Sequence, residues 1–366
     1  MSPLASALRS TEEQTQEKRF HGEHLPKGRV GFLTLISLLV VTLIAVVLFS
    51  VATGAVRVSP GAILAALFRH HPLTATQQII LLQIRLPRVL ASAVVGAALA
   101  ISGLMFQGLF RNPMADPYVI GSSGGAVLGA CVGIFFFSQL SLFGFSATAL
   151  LAFAGSVVTM AIVYFLARTN GRTNVITLLL AGFAISTMLG YSSFFFELID
   201  SSSGSSHMVL LSWLHGVIGI PQWTQLAVTA GLLLSASFAA MPLMRRLNTL
   251  ALGDEYAHQL GLRVEYTRVG IILTGSLLTA VAVSLGGLIS FAGLIVPHVA
   301  RLLLGPDHVR LLPVTALSGA IFLVVADTLA RTIFAPTEIP VGILMAFIGG
   351  PFFLYLLRKT KRSYVL

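Results

Sequence analysis

Long apolar runs separated by short, arginine-bearing polar stretches set the pattern of this chain. A helix needs about 20 mostly apolar residues to cross a bilayer. Runs of that kind lie at 31–51, 88–110, 118–137, 146–167, 174–196, 223–243, 268–285, 311–333 and 340–357. A further apolar piece, 287–304, is broken by Gly287, Gly293 and Pro297, with Gly286 just before it. Irregular backbone at membrane depth is tolerated only where protein covers it or where it lines a cavity. This piece is therefore expected to cross as a discontinuous segment, which brings the total to about ten spans. Gly121, Gly125, Gly129 and Gly133 share one helix face, where a neighbouring helix can approach closely.

Composition agrees with that pattern. The 366 residues are 56% hydrophobic and 10% charged, against about 25% charge in a soluble domain. The net charge of +10 comes from cations between spans or at the ends, with Lys only at 18, 27, 359 and 361. That balance speaks to topology and membrane contact, not to nucleic acid. Cys131 stands alone, so no disulfide framework and no metal-ligand spacing is present. Residues 1–29 read as a disordered cytoplasmic tail, 30–358 as the transmembrane domain, and 359–366 as a second cytoplasmic tail. The run 31–52 exceeds a signal-peptide core of about 7–15 residues; it is expected to be an uncleaved span held inside by Lys27 and Arg29. RKTKR at 358–362 places the other end inside as well. Two inner ends require an even number of crossings. The loops 111–117, 168–173, 244–267 and 305–310 then face the cytoplasm, each carrying arginine.

Arg85 and Arg88 in QIRLPR, and Arg331, fall on the outer side of this topology. One reading is headgroup contact or an ion pair, since Asp327 and Arg331 are four apart on one helix. The other is an external basic platform for an acidic partner. VSPGAILAALF (58–68) reads as a short outer amphipathic helix with Ser59 as cap and Pro60 as first residue.

The chain has the size of a transporter but no visible engine. No lysine follows a glycine, which excludes the phosphate-binding G-x-x-x-x-G-K-[ST] motif. The acids Glu197, Asp200, Asp327 and Glu338 fall near span ends, whereas ion-coupled carriers place ionisable groups within the membrane. An engine on another chain requires a cytoplasmic docking element, and NTLALGDEYAHQLGL (248–262) has its properties. Gly253 and Gly261 divide it into short helices, Asp254 is expected to cap the second, and Leu252, Tyr256 and Leu260 share a face. Such a stripe suits a groove on a soluble subunit; the alternative is a helix lying on headgroups. An ion-coupled secondary carrier remains the rival class.

Four motifs then carry a resemblance: IRLPRVLASAVVGAALAISG (84–103), RNPMADPYVIGSSGGAVLG (111–129), LALGDEYAHQLGL (250–262) and FAGLIVPHVARLLLGPDHVRLLP (291–313). DTLARTIFAPTEIPVGILMAFIGGPFFLYLL (327–357) also fits. With them the chain resembles the FecCD family, permease subunits of type II ABC importers for cobalamin, haem and ferric siderophores. The resemblance implies an all-α integral membrane protein of ten spans in the bacterial cytoplasmic membrane. It also implies a homodimer, two ATPase subunits below and a substrate-binding protein outside. The chain itself would be no enzyme and bind no cofactor or metal; ATP and Mg would be used by the ATPase. By the same resemblance, Leu250, Ala251, Leu252, Gly253, Asp254, Glu255, Leu260, Gly261 and Leu262 would form the coupling element. Arg85, Arg88 and Arg331 would pair with acids of the binding protein. Asn112 and Met114, with Asn174 and Val175, would line the cytoplasmic gate, although TNVIT departs there from the small hydroxyl residues common in the family. His207, Met208 and His215 stand near the outer end of the path. They are candidates for transient contact with a haem iron, or else for interfacial packing. Haem or a ferric siderophore is the expected cargo, with cobalamin next.

Overall fold

The computed structural model describes residues 29–54, 74–142, 144–169, 172–199 and 204–361. The N-terminal tail, the segment 58–68 with Ser59 and Pro60, Asp200 and the last residues lie outside the described residues.

The apolar runs become helices. In chain order these are α1 (Arg29–Ala52), α2 (Ala75–Leu109), α3 (Ser122–Phe137), α4 (Ala147–Ala167), α5 (Val175–Gly190), α6 (Ser192–Ile199) and α7 (Gly204–Leu214). There follow α8 (Trp223–Ala251), α9 (Asp254–Gln259), α10 (Val264–Gly286), α11 (Ala292–Leu304), α12 (His308–Thr332) and α13 (Val341–Lys361). Among the described residues 8 helices are long and apolar enough to cross a membrane, and Ser122–Phe137 and Ala292–Leu304 are shorter apolar ones. Together they correspond one for one to the expected spans. The chain is a multi-pass, helical membrane protein. Two short antiparallel pairs, Ser141–Leu142 with Phe145–Ser146 and Arg168–Thr169 with Arg172–Thr173, close loops between helices.

α2 is the hub, packed against α8, α10, α11 and α12. Its small residues explain why: a methyl group at Gly96 would strike the backbone of Gly319 on α12, and one at Gly103 that of Gly293 on α11. α2 also starts earlier than the apolar run suggests. Thr74 opens it with a reciprocal cap to Gln77, and a π-helical stretch, Ile79–Arg85, precedes Pro87. Its 35 residues would span about 52 Å at helical rise, more than the ~30 Å hydrocarbon core. α3 and α4 form the other tight pair. Gly125, Gly129 and Gly133 face the backbone or small side chains of α4, as their spacing predicts.

The discontinuous segment is present. α10 ends at Gly286, Gly287 turns left-handed (φ 63°), and Phe291 takes the same region (φ 68°) before α11 begins. Its polar backbone is satisfied by side chains. The Ile289 N–H donates to the Tyr118 hydroxyl (3.3 Å), and Gln107 Nε2 donates to the carbonyls of Gly293 (3.4 Å) and Leu294 (3.1 Å). This is what the tolerance for irregular backbone in a membrane requires. The expected fifth span, 174–196, is two helices: α5 closes at Tyr191 and α6 follows.

Candidate functional site

Two clusters of the predicted residues sit at opposite ends of α2. At its C-terminal end stands the hairpin of α8, α9 and the start of α10. α8 runs to Ala251, Gly253 takes φ 119°, α9 makes less than two turns, and Gly261 (φ 79°) turns the chain toward α10. Both glycines occupy backbone regions that side chains rarely adopt. Leu250 and Ala257 are buried and anchor the hairpin. Leu252, Tyr256 and Leu260 stand 63%, 65% and 69% exposed and, with Gln259, line a hollow of about 330 Å³. The predicted stripe is therefore one outward face. Ala251, Glu255 and Gly261 are exposed beside it, and Leu262 packs partly against the core.

Asp254 departs from the expectation that it caps α9. The cap position is Gly253, and Asp254 is the first helical residue. Its carboxylate is drawn away by two guanidinium groups. Arg111 Nη2 donates to Oδ1 (2.9 Å), and Arg268 Nη2 donates to Oδ2. A charge-assisted bond to arginine is stronger than a neutral one to a backbone amide.

The gate candidates lie beside this hairpin. Asn112 folds its side chain back to accept from the Met114 N–H (2.9 Å), setting the turn that follows α2. Asn174 caps α5, accepting from the N–H groups of Ile176 (2.9 Å) and Thr177 (3.1 Å); Val175 is the first helical residue. A cavity of about 210 Å³ brings Arg111, Val175, Leu250, Asp254 and Arg268 together. Further along the Asn112 loop, Asp116 caps the short turn Pro117–Ile120. Burial pushes its carboxyl up to about 6, against hydrogen bonds from the Tyr118 and Phe291 amides.

At the other end, Arg85, Arg88 and Arg331 do converge, and they face inward. Asp327, fully buried, accepts from Arg88 (Nη2, 3.2 Å) through Oδ1 and from Arg331 (Nε, 3.0 Å) through Oδ2. Arg88 also reaches Glu338 (2.7 Å), Arg331 donates to Ser50 Oγ (2.9 Å), and Arg85 donates to the carbonyls of Val51 (3.0 Å) and Ala52 (3.1 Å). Arg85 and Arg331 are buried. The α1 carbonyls and Ser50, which complete this cluster, carry no charge and gave the sequence no signal.

His207 and Met208 are exposed on α7. His215, just past its end, closes its Nδ1 onto the Leu211 carbonyl (2.6 Å). Among the described residues no group of three or more His, Cys, Asp or Glu could hold a metal. A second exposed apolar surface went unpredicted. Ile176, Leu180, Phe183, Tyr191, Phe194 and Leu198 make a stripe along α5 and α6 at 64–83% exposure. Its spacing of three and four residues was present in the sequence.

The profile of the FecCD transport family matches residues 42–359. The cobalamin import system permease protein BtuC of Halobacterium salinarum is 44% identical over 286 residues, 78% of this chain and 75% of that protein. The hemin transport system permease protein HmuU of Yersinia pestis is 40% identical over 342 residues, 92% of this chain and 98% of that one. A solved structure, an inward-facing conformation of a metal-chelate type ABC transporter, superposes with a TM-score of 0.76 at 31% identity. It covers 89% of this chain and 99% of its own.

Proposed function

The chain belongs to the FecCD transport family and is an ABC-importer permease, and we propose that it carries haem or a ferric siderophore, with cobalamin next, inward by alternating access. The observation that carries the reading is the hairpin: an apolar face of Leu252, Tyr256 and Leu260, proud of the bundle and built on two left-handed glycines. Such a face suits the groove of a soluble subunit. In this reading the hairpin end lies in the cytoplasm together with both termini. Two ATPase subunits grip the hairpins of a homodimer, using ATP and Mg that this chain does not bind. Apolar faces are exposed on α1, α4 and α8 as well, where lipid covers them; this reading assigns the stripe along α5 and α6 to the second copy.

A substrate-binding protein docks at the arginine end. In this chain alone Arg88 is held by Asp327 and by the half-exposed Glu338, so docking would exchange Glu338 for an acid of the partner. The ion-coupled alternative loses its best carboxylate, since Asp327 is already paired with two arginines. Cargo is tested on the binding protein. Purified from an iron-replete culture, it should retain a haem or ferric-siderophore chromophore. Retention of a cobalamin spectrum would move the assignment to the corrinoids.

A further inference from the structure

Five side chains that no coupling or gate motif singles out as a group tie the hairpin to both gate loops. Arg111 Nη2 donates to the Leu250 carbonyl (2.6 Å), at the end of α8, and to Asp254 Oδ1 (2.9 Å). Arg268, on the first turns of α10, donates through Nη2 to the other oxygen of Asp254 and through Nη1 to the Thr173 carbonyl (3.3 Å). Thr173 in turn gives its N–H to Glu265 Oε2 (3.0 Å) and its hydroxyl to Oε1. Arg111 directly precedes Asn112, and Thr173 directly precedes Asn174 and Val175. Each gate loop is thus held one residue away from its gate side chain, and Asp254 is the shared node.

Two further observations point the same way. Arg111 is a non-glycine residue at φ 49°, a strained conformation that persists only where its surroundings hold it. Those surroundings here are the hairpin. Moreover, Asp254 is 49% and Arg111 47% exposed, and pairs in that setting add little to folding. That pair adds little to stability, but the network it belongs to fixes the relative geometry of three elements that are far apart in sequence.

We propose that Arg111, Asp254 and Arg268 are positioning residues that make both gate loops follow the coupling hairpin. A displacement of the hairpin by the ATPase then reaches Asn112 through Arg111, and Val175 through Arg268 and Thr173. The proposal rests on the reading of the hairpin as the ATPase contact, and the test separates the two.

The full complex, with ATPase subunits and binding protein, is reconstituted with Cys131→Ala and the reporter Met114→Cys. Reaction of the reporter with a membrane-impermeant maleimide is followed with and without ATP and vanadate. A difference of about tenfold between the two states is expected for the parent, within the usual range of coupling between sites. Asp254→Asn, Arg111→Met and Arg268→Met should hydrolyse ATP while losing that difference. Arg111→Met with Arg268→Met should be at least as severe as Asp254→Asn, because it also removes the bonds to the Leu250 and Thr173 carbonyls. Arg268→Lys keeps the charge but not the fork, and should fall between; it carries the test if a methionine variant fails to assemble. Clamp variants that retain the full difference overturn the proposal. Leu260→Glu is the control. If it uncouples while the clamp variants do not, only the clamp is wrong; if it too couples normally, the hairpin reading falls first.

Discussion

Gly129 shows how much single positions decide in this bundle. A side chain there would run into the Leu151 carbonyl on α4, and the backbone has no room to give. Gly129→Leu should cost about 1–3 kcal/mol, the usual penalty of overpacking, read as a lower melting temperature in detergent with the helix content kept. Asp327 is the opposite case, a buried charge whose worth lies in its partners. Asp327→Leu strands Arg331 and leaves Arg88 only Glu338, and should cost about 3–5 kcal/mol, as breaking buried pairs does. Asp327→Asn keeps one acceptor oxygen but turns an NH2 donor toward the second guanidinium, so it should recover only part of that loss in the same assay. The glycine face was legible because its spacing alone defines a helix side. Arg85 and Arg331 were legible as exceptions to the positive-inside pattern. The Asp327–Arg331 pair was legible from its spacing of four; the inward turn of Arg85 was not, because it depends on two α1 carbonyls, and an uncharged acceptor leaves no mark on a charge pattern.

At the level of elements, the apolar runs located the spans, and Gly286 and Gly287 located the break between α10 and α11, whereas Gly293 and Pro297, also expected to break the segment, lie inside α11. Boundaries followed less well. α2 begins at Ala75 because Thr74 and Gln77 form a cap that the apolar run does not include. The hairpin was read correctly as a structured element with one apolar face, since Leu252, Tyr256 and Leu260 needed only helical spacing. The role of Asp254 was misread as a cap because its partners are Arg111 and Arg268, and the first is remote in the chain. The element makes its own prediction. Leu260 is exposed, so Leu260→Glu should leave the stability within about 0.5 kcal/mol of the parent, as surface changes do. In the assembled complex it should lower import per ATP hydrolysed. Normal import by that variant would mean that the apolar face contacts something other than the ATPase.

The whole molecule is a bundle organised around α2, with a hairpin at one end and an arginine cluster at the other, and with the discontinuous α10–α11 segment packed on α2 between them. This arrangement supplies a path and two docking ends; it contains no phosphate-binding loop among its lysines. The central claim is that the energy comes from a partner chain. The most direct measurement is uptake into proteoliposomes holding this chain with its binding protein. Labelled haem, a ferric siderophore and cobalamin are supplied in turn, with ATP enclosed, and with or without the ATPase subunits. Uptake of one of these only when ATPase and ATP are both present is the predicted result. Uptake that persists without the ATPase, driven by an ion gradient alone, would contradict it.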